Sequence, residues 1–303
     1  MNRSPSPEST LHGDAAARSE ARSEAPTGAD LARQIAVISA VVFMIIAAMV
    51  GTGFFGGTNV RDLQGGALDA DATVLAPATP AFSIWSVVYL LTIGYAVWQA
   101  LPSQRGRARQ RRASWWIAAT AVLNGGWLLA AQFLTLPLTV VAIVLLLVVL
   151  GVTLRRLVAQ RPESPVDLLL MDGAVGIHLG WVSLATVANI TAWLAADVVA
   201  PMDADAQQLW GVLVLVVVAL VGAAIAFGTD GRIAPALAMA WGLVWIGIAR
   251  STGEPHAPAV ATTAFIVAAV VLAAAIGLRA RALTRARSAG GLAHRPRTLR
   301  VSR

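Results

Sequence analysis

The sequence predicts an all-α integral membrane protein that crosses a lipid bilayer eight times, and three observations carry that prediction. Composition is the first: 57% of the 303 residues are hydrophobic and only 13% are charged, against roughly 25% charged in a soluble domain. The second is segment length. Apolar stretches recur at the roughly 20 residues that a helix needs to span hydrocarbon. Runs such as Val140 to Leu150 show no polar alternation, which argues against a closed barrel and leaves helices to satisfy the backbone. The third is the placement of the arginines, which follows from the order of the elements.

Residues 1–34 are rich in Ser, Ala, Glu and Arg. They lack the apolar surface to fold and are expected to form a disordered cytoplasmic tail. The first apolar stretch starts near Ile35, too far along the chain for a signal peptide, so 35–55 is expected as a retained first span. Hydropathy and helix breakers place the others at 82–101, 115–134, 136–155, 168–192, 208–227, 233–249 and 259–278. The fifth is longer than a bilayer needs, which suits a tilted helix. This organises the chain as five spans over 35–194, an acidic extracytoplasmic loop at 195–207, three spans over 208–278 and a basic cytoplasmic tail at 279–303.

Orientation follows from the charges. With the N-terminus inside, the cytoplasmic loops hold Arg105, Arg107, Arg109, Arg111 and Arg112, then Arg155, Arg156 and Arg161. Arg279, Arg281, Arg285 and Arg287 follow in the tail. The opposite loops carry Asp62, Asp69 and Asp71, then Asp197, Asp203 and Asp205. Arginine therefore alternates almost as eight spans require, with both termini cytoplasmic; the membrane expected is the plasma (bacterial inner) membrane. The net charge of +7 is explained by these loops, and no nucleic-acid partner is expected. The absence of cysteine excludes disulfides, thiolate metal sites and thiol nucleophiles.

Polar groups within a bilayer are costly and usually face a bundle interior or a cavity. In the second span, Pro80 suits a helix start, and Trp85 and Tyr89 lie four residues apart on one face. They fit an interfacial aromatic belt or the wall of a pocket. In the third, Asn124, Trp127 and Ala131 form one stripe, and Gly125 and Gly126 permit close approach of another helix. Asn124 serves an interhelical hydrogen bond or a ligand. In the fifth, His178, Trp181, Ala185 and Asn189 again share a stripe. His178 is a satisfied structural imidazole or an axial ligand for haem iron. Asp172 points off that stripe and is expected to be interfacial. Trp241 and Trp245 are simplest as packing or belt residues, with Arg250 at the outer boundary. No phosphate-cradling loop, Ser–His–Asp grouping or intramembrane carboxylate pair is evident, so no catalytic residue, no metal site and no enzymatic activity are expected.

Together these motifs resemble the tryptophan-rich sensory protein family (TspO/MBR), which includes the translocator protein. The second-span pattern is matched by Pro80, Phe82, Trp85, Tyr89 and Gly94, and the third-span Asn-x-x-Trp by Asn124 and Trp127. The fifth-span Trp-Val-Ser-x-Ala-Thr-x-x-Asn is matched by Trp181, Val182, Ser183, Ala185, Thr186 and Asn189. The resemblance implies a TspO-like five-helix bundle over 35–194, with the last three spans as additional helices. Ile177-His178 stands where the family usually has Pro-Tyr, and the fifth span lacks the tyrosine of the proposed cholesterol motif, so sterol binding loses support.

What the resemblance implies is a cavity among five helices, covered by the loop of residues 56–79, that takes porphyrins or other hydrophobic ligands. The residues expected to line it are Trp85, Tyr89, Asn124, Trp127, His178, Trp181 and Asn189. No cofactor is required, and porphyrin or haem is a ligand. Membrane lipid is the other partner. Two further readings stay open: a transporter of a hydrophobic or amphipathic solute, and a non-catalytic interaction protein. In the latter, Gly222, Ala223, Ala273 and Ala274 of the extra helices would pack a partner or a homodimer.

Overall fold

The computed structural model describes residues 25–56, 58–59 and 62–293. Among them, eight helices are long and apolar enough to cross a membrane. They are α1 (Gly28–Gly51), α2 (Ile84–Ala100, which spans together with the 3₁₀ turn before it as Thr79–Ala100), α3 (Ala108–Phe133) and α4 (Leu136–Val158). The others are α5 (Pro165–Val198), α6 (Ala204–Gly228), α7 (Ile233–Thr252) and α8 (Pro258–Ala293). The connection between α1 and α2, called here the strap, carries short 3₁₀ turns at Gln64–Gly66 and Thr79–Ser83.

Every expected span is present, but three helices reach beyond their apolar stretch. The expected tail 1–34 is helical from Gly28, because Thr27 and Asp30 form a capping box. The Thr27 amide donates to the Asp30 carboxylate at 3.0 Å, and the Thr27 hydroxyl oxygen accepts from the Asp30 amide at 3.4 Å. Such reciprocal bonds occupy donors that a helix start otherwise leaves open. Residues 1–24 of that tail lie outside the described residues. α3 begins at Ala108, so Arg109, Arg111 and Arg112 stand on a helix and not in a loop. α8 continues through Ala293, where alanine and arginine are strong helix formers. The expected basic tail is thus helical over 279–293, and residues 294–303 lie outside the description.

The chain folds as two compact units. One holds the described residues through Leu63 together with Trp85–Val175; the other holds Gln64–Ile84 together with residues from Gly176 onward. In the first, α3 packs against both α1 and α4, burying Val41 and Met44 with Ile117, Ala121, Ile143 and Leu150. Gly125 permits the α1 approach, since a Cβ there would lie 2.6 Å from the Phe43 ring; at Gly126 it would meet nothing within 4 Å.

The second unit is built on α7 and α8, with α6 against α8. Its core joins Leu184 of α5 to Leu215, Met239, Leu243, Ile246, Val260 and Val271. Val74 and Leu75 of the strap belong to the same core. Glycines set the spacing here as well. A Cβ on Gly222 would lie 2.6 Å from Val271, and one on Gly180 only 2.1 Å from the backbone oxygen of Pro235. The small face of Gly222 is therefore occupied by α8 of the same chain.

Candidate functional site

Four of the seven expected site residues lie in the first unit and three in the second. The first four form one group. Trp85 stacks on Tyr89 with ring centroids 5.6 Å apart and 20° between planes, and on Trp127 at 6.3 Å and 22°. The helical spacing explains half of this: residues 85 and 89 are one turn apart on α2. Trp127 joins them from α3, and Asn124 sits one turn before it. Asn124 is fully buried, and neither its amide nitrogen nor its oxygen has a hydrogen-bond partner among the described residues. The Trp127 indole N–H is likewise unpartnered. A buried amide without partners costs about 1–3 kcal/mol, so these three unpartnered polar atoms, all that the two side chains carry, set Asn124 and Trp127 apart on α3.

The other three residues sit on α5 in the second unit. His178, Trp181 and Asn189 are all buried. Trp181 receives Phe82 of the strap edge-on, at 5.7 Å and 80°. Phe82 was part of the family pattern but not of the expected pocket, and its position is fixed by the 3₁₀ turn Thr79–Ser83.

Sequence reasoning missed a buried ionic group in the first unit. Asp172, expected to be interfacial, is buried and bonded to Arg109, which also holds Asp167. In an α-helix two residues five apart point roughly 140° away from each other. Here Leu168–Gly173 is a π-helix, whose wider turn closes at five residues and brings both carboxylates to one guanidinium. Beside it, Arg33 donates to Ser114 Oγ at 3.2 Å, and the Tyr95 hydroxyl lies 2.7 Å from Ser114 Oγ and 3.0 Å from Gln110 Oε1. A cleft of about 70 Å³, lined by Trp98, Arg107, Arg109, Gln110, Glu163 and Asp167 among others, adjoins this network. It is far below the roughly 300 Å³ of a ligand pocket and has room for a few waters. It does not include the aromatic stack.

No curated protein and no solved structure matches the chain. The family described as TSPO-like protein matches residues 33–277. That match begins inside α1 and runs into α8, so the last three helices lie within the family's extent and not beyond it. With the Asn124/Trp127 and Trp181/Asn189 stripes on the expected helices, the match over most of its length makes this chain a member of the TSPO-like protein family.

Proposed function

We propose that the protein binds a flat hydrophobic ligand of the tetrapyrrole type and acts as a sensor without catalysis. It does so in the plasma membrane, with both termini in the cytoplasm. One observation carries the reading: Trp127 of the Trp85–Tyr89–Trp127 stack lies one turn from a buried Asn124 whose amide has no partner among the described residues. Aromatic faces stack on a macrocycle, while an amide and an indole N–H can orient its polar edge. His178, Trp181 and Asn189 are proposed as ligand-facing residues of the second unit, with His178 as the candidate ligand of haem iron.

Titration of purified protein with protoporphyrin IX and with haem, followed by tryptophan quenching, tests the proposal. Trp127→Ala and Asn124→Leu are each expected to weaken binding roughly tenfold, the equivalent of one lost stacking or hydrogen-bond contribution. Unchanged affinity in both variants sinks the stack as the site. Trp181→Phe and His178→Ala run in parallel; loss of haem affinity with protoporphyrin IX unaffected would make His178 the iron ligand.

Transport of an amphipathic solute is the second reading, and the Arg109–Asp167–Asp172 group favours it. Buried ionisable residues in spans mark ion or substrate pathways, and the sequence alone suggested few of them. Solute flux into proteoliposomes, abolished by Asp172→Asn, would move transport ahead of sensing; binding without flux would leave it behind.

A further inference from the structure

The strap runs alongside α7 and is bonded to it at three levels. At one end the Arg250 guanidinium donates to the backbone oxygen of Ala70 at 2.9 Å, and to those of Thr73 and Pro255 at 3.2 Å each. In the middle the Ala78 amide donates to the Trp245 carbonyl at 3.3 Å. At the other end the Trp241 indole donates to the Ala81 carbonyl at 2.9 Å. As the strap advances from 70 to 81, its partners on α7 descend from 250 to 241, so the two segments are antiparallel. Between these points Val74 and Leu75 are buried in the core of α6–α8, and Gly211 of α6 leaves room for Val74, whose Cγ2 a Cβ there would approach to 3.1 Å.

From this we propose that Arg250 and Trp241 are positioning residues. They hold the strap on α6–α8 as a fixed template, and the strap in turn seats Phe82 on Trp181. The role of the last three helices is then to build one wall of the Trp181 region, and the segment expected to cover a cavity is fastened from residue 70 onward. Arg250 suits this task because a planar guanidinium reaches several carbonyls in fixed directions, which a lysine ammonium does not. It is 1% exposed, and Asp71 and Glu254 supply negative charge nearby. The link from strap to ligand rests on the proposed binding function; the fastening itself does not.

The absence of native cysteine gives a clean test. Thr73 is 7% exposed, and its hydroxyl has no partner among the described residues, so Thr73→Cys removes no hydrogen bond. Asp71 is exposed, and Asp71→Cys supplies the fully reactive reference. With the strap fastened, a membrane-impermeant maleimide labels Thr73→Cys at least tenfold more slowly than Asp71→Cys. Adding Arg250→Ala brings the two rates together, Arg250→Lys gives an intermediate rate, and Trp241→Phe, which keeps an aromatic side chain and loses the N–H, gives a smaller acceleration. Equal rates with Arg250 intact overturn the fastening, whether or not any Arg250 variant folds. Arg250→Lys and Trp241→Phe are also titrated with protoporphyrin IX, each expected to weaken binding severalfold in step with its labelling rate. Faster labelling with unchanged affinity overturns the positioning role while leaving the strap fastened. A wild-type protein that binds no porphyrin counts against the proposed function alone, and the labelling rates still decide the fastening.

Discussion

Gly180→Ala is expected to unfold at a markedly lower temperature than the unaltered protein, from the addition of a single methyl group. The new Cβ would lie 2.1 Å from the Pro235 backbone oxygen, 2.8 Å from its carbonyl carbon and 2.9 Å from its Cα. All three are backbone atoms of α7, so no side chain can rotate away and the helices α5 and α7 must separate. Overpacking a well-filled interior costs about 1–3 kcal/mol, and a clash with backbone belongs at or above the top of that range. Separation also loosens neighbours, since Gly242 of α7 lies under Leu184 and Trp181 of α5. The comparison is Gly126→Ala, whose Cβ meets nothing within 4 Å. Replacing that helical glycine removes backbone freedom from the unfolded chain and is expected to be neutral or to stabilise by about 0.5–1 kcal/mol. Thermal midpoints of the two variants in one detergent decide the matter. A Gly180→Ala midpoint equal to that of the unaltered protein would mean that α5 and α7 do not cross at Gly180.

The contrast between these glycines shows what a linear sequence carries. Gly125-Gly126 announces a close helix approach, and the approach is real, but only Gly125 faces α1; its neighbour points elsewhere by about 100° of helical rotation. The eight spans were legible because apolar length is a property of one segment at a time. The start of α1 was not, because Thr27 and Asp30 extend the helix with polar atoms that hydropathy scores as tail.

The same division runs through the candidate site. Trp85 with Tyr89, and Asn124 with Trp127, were legible as faces of single helices. That the α2 face meets Trp127 of α3 is a fact of packing between helices. Arg250 looked like a boundary charge because its partners are backbone carbonyls, which every residue has and none advertises. Arg109 looked like one positive charge in a cytoplasmic run. Its carboxylates stand 58 and 63 positions away, and their mutual spacing of five places them apart on any regular α-helix. Only the π turn reconciles them, and nothing local in Leu168-Leu-Leu-Met-Asp-Gly173 declares one.

Arg109→Met is the substitution expected to be most damaging to the first unit. The side chain is 3% exposed, and Asp167 and Asp172 are buried to a similar degree. Methionine fills much of the volume but takes the guanidinium away from two buried carboxylates. Removing one partner of a buried pair costs about 3–5 kcal/mol, chiefly through the charge left behind. The π turn then loses the group that draws its two ends together. The expected result is a protein that fails to elute as a single species after solubilisation, or does so with a greatly reduced midpoint. Asp172→Asn should be far milder, because the guanidinium keeps Asp167 and an amide oxygen can still accept from it. The triple variant Arg109→Met, Asp167→Asn, Asp172→Asn separates charge from geometry. If uncompensated charge is the cause, the triple recovers most of what the single loses, as replacement of whole buried ionic groups often does. If the triple is no better than the single, the guanidinium acts chiefly as a brace for the π turn. An Arg109→Met protein as stable as the unaltered one would remove the ionic group from any account of how α3 and α5 are held.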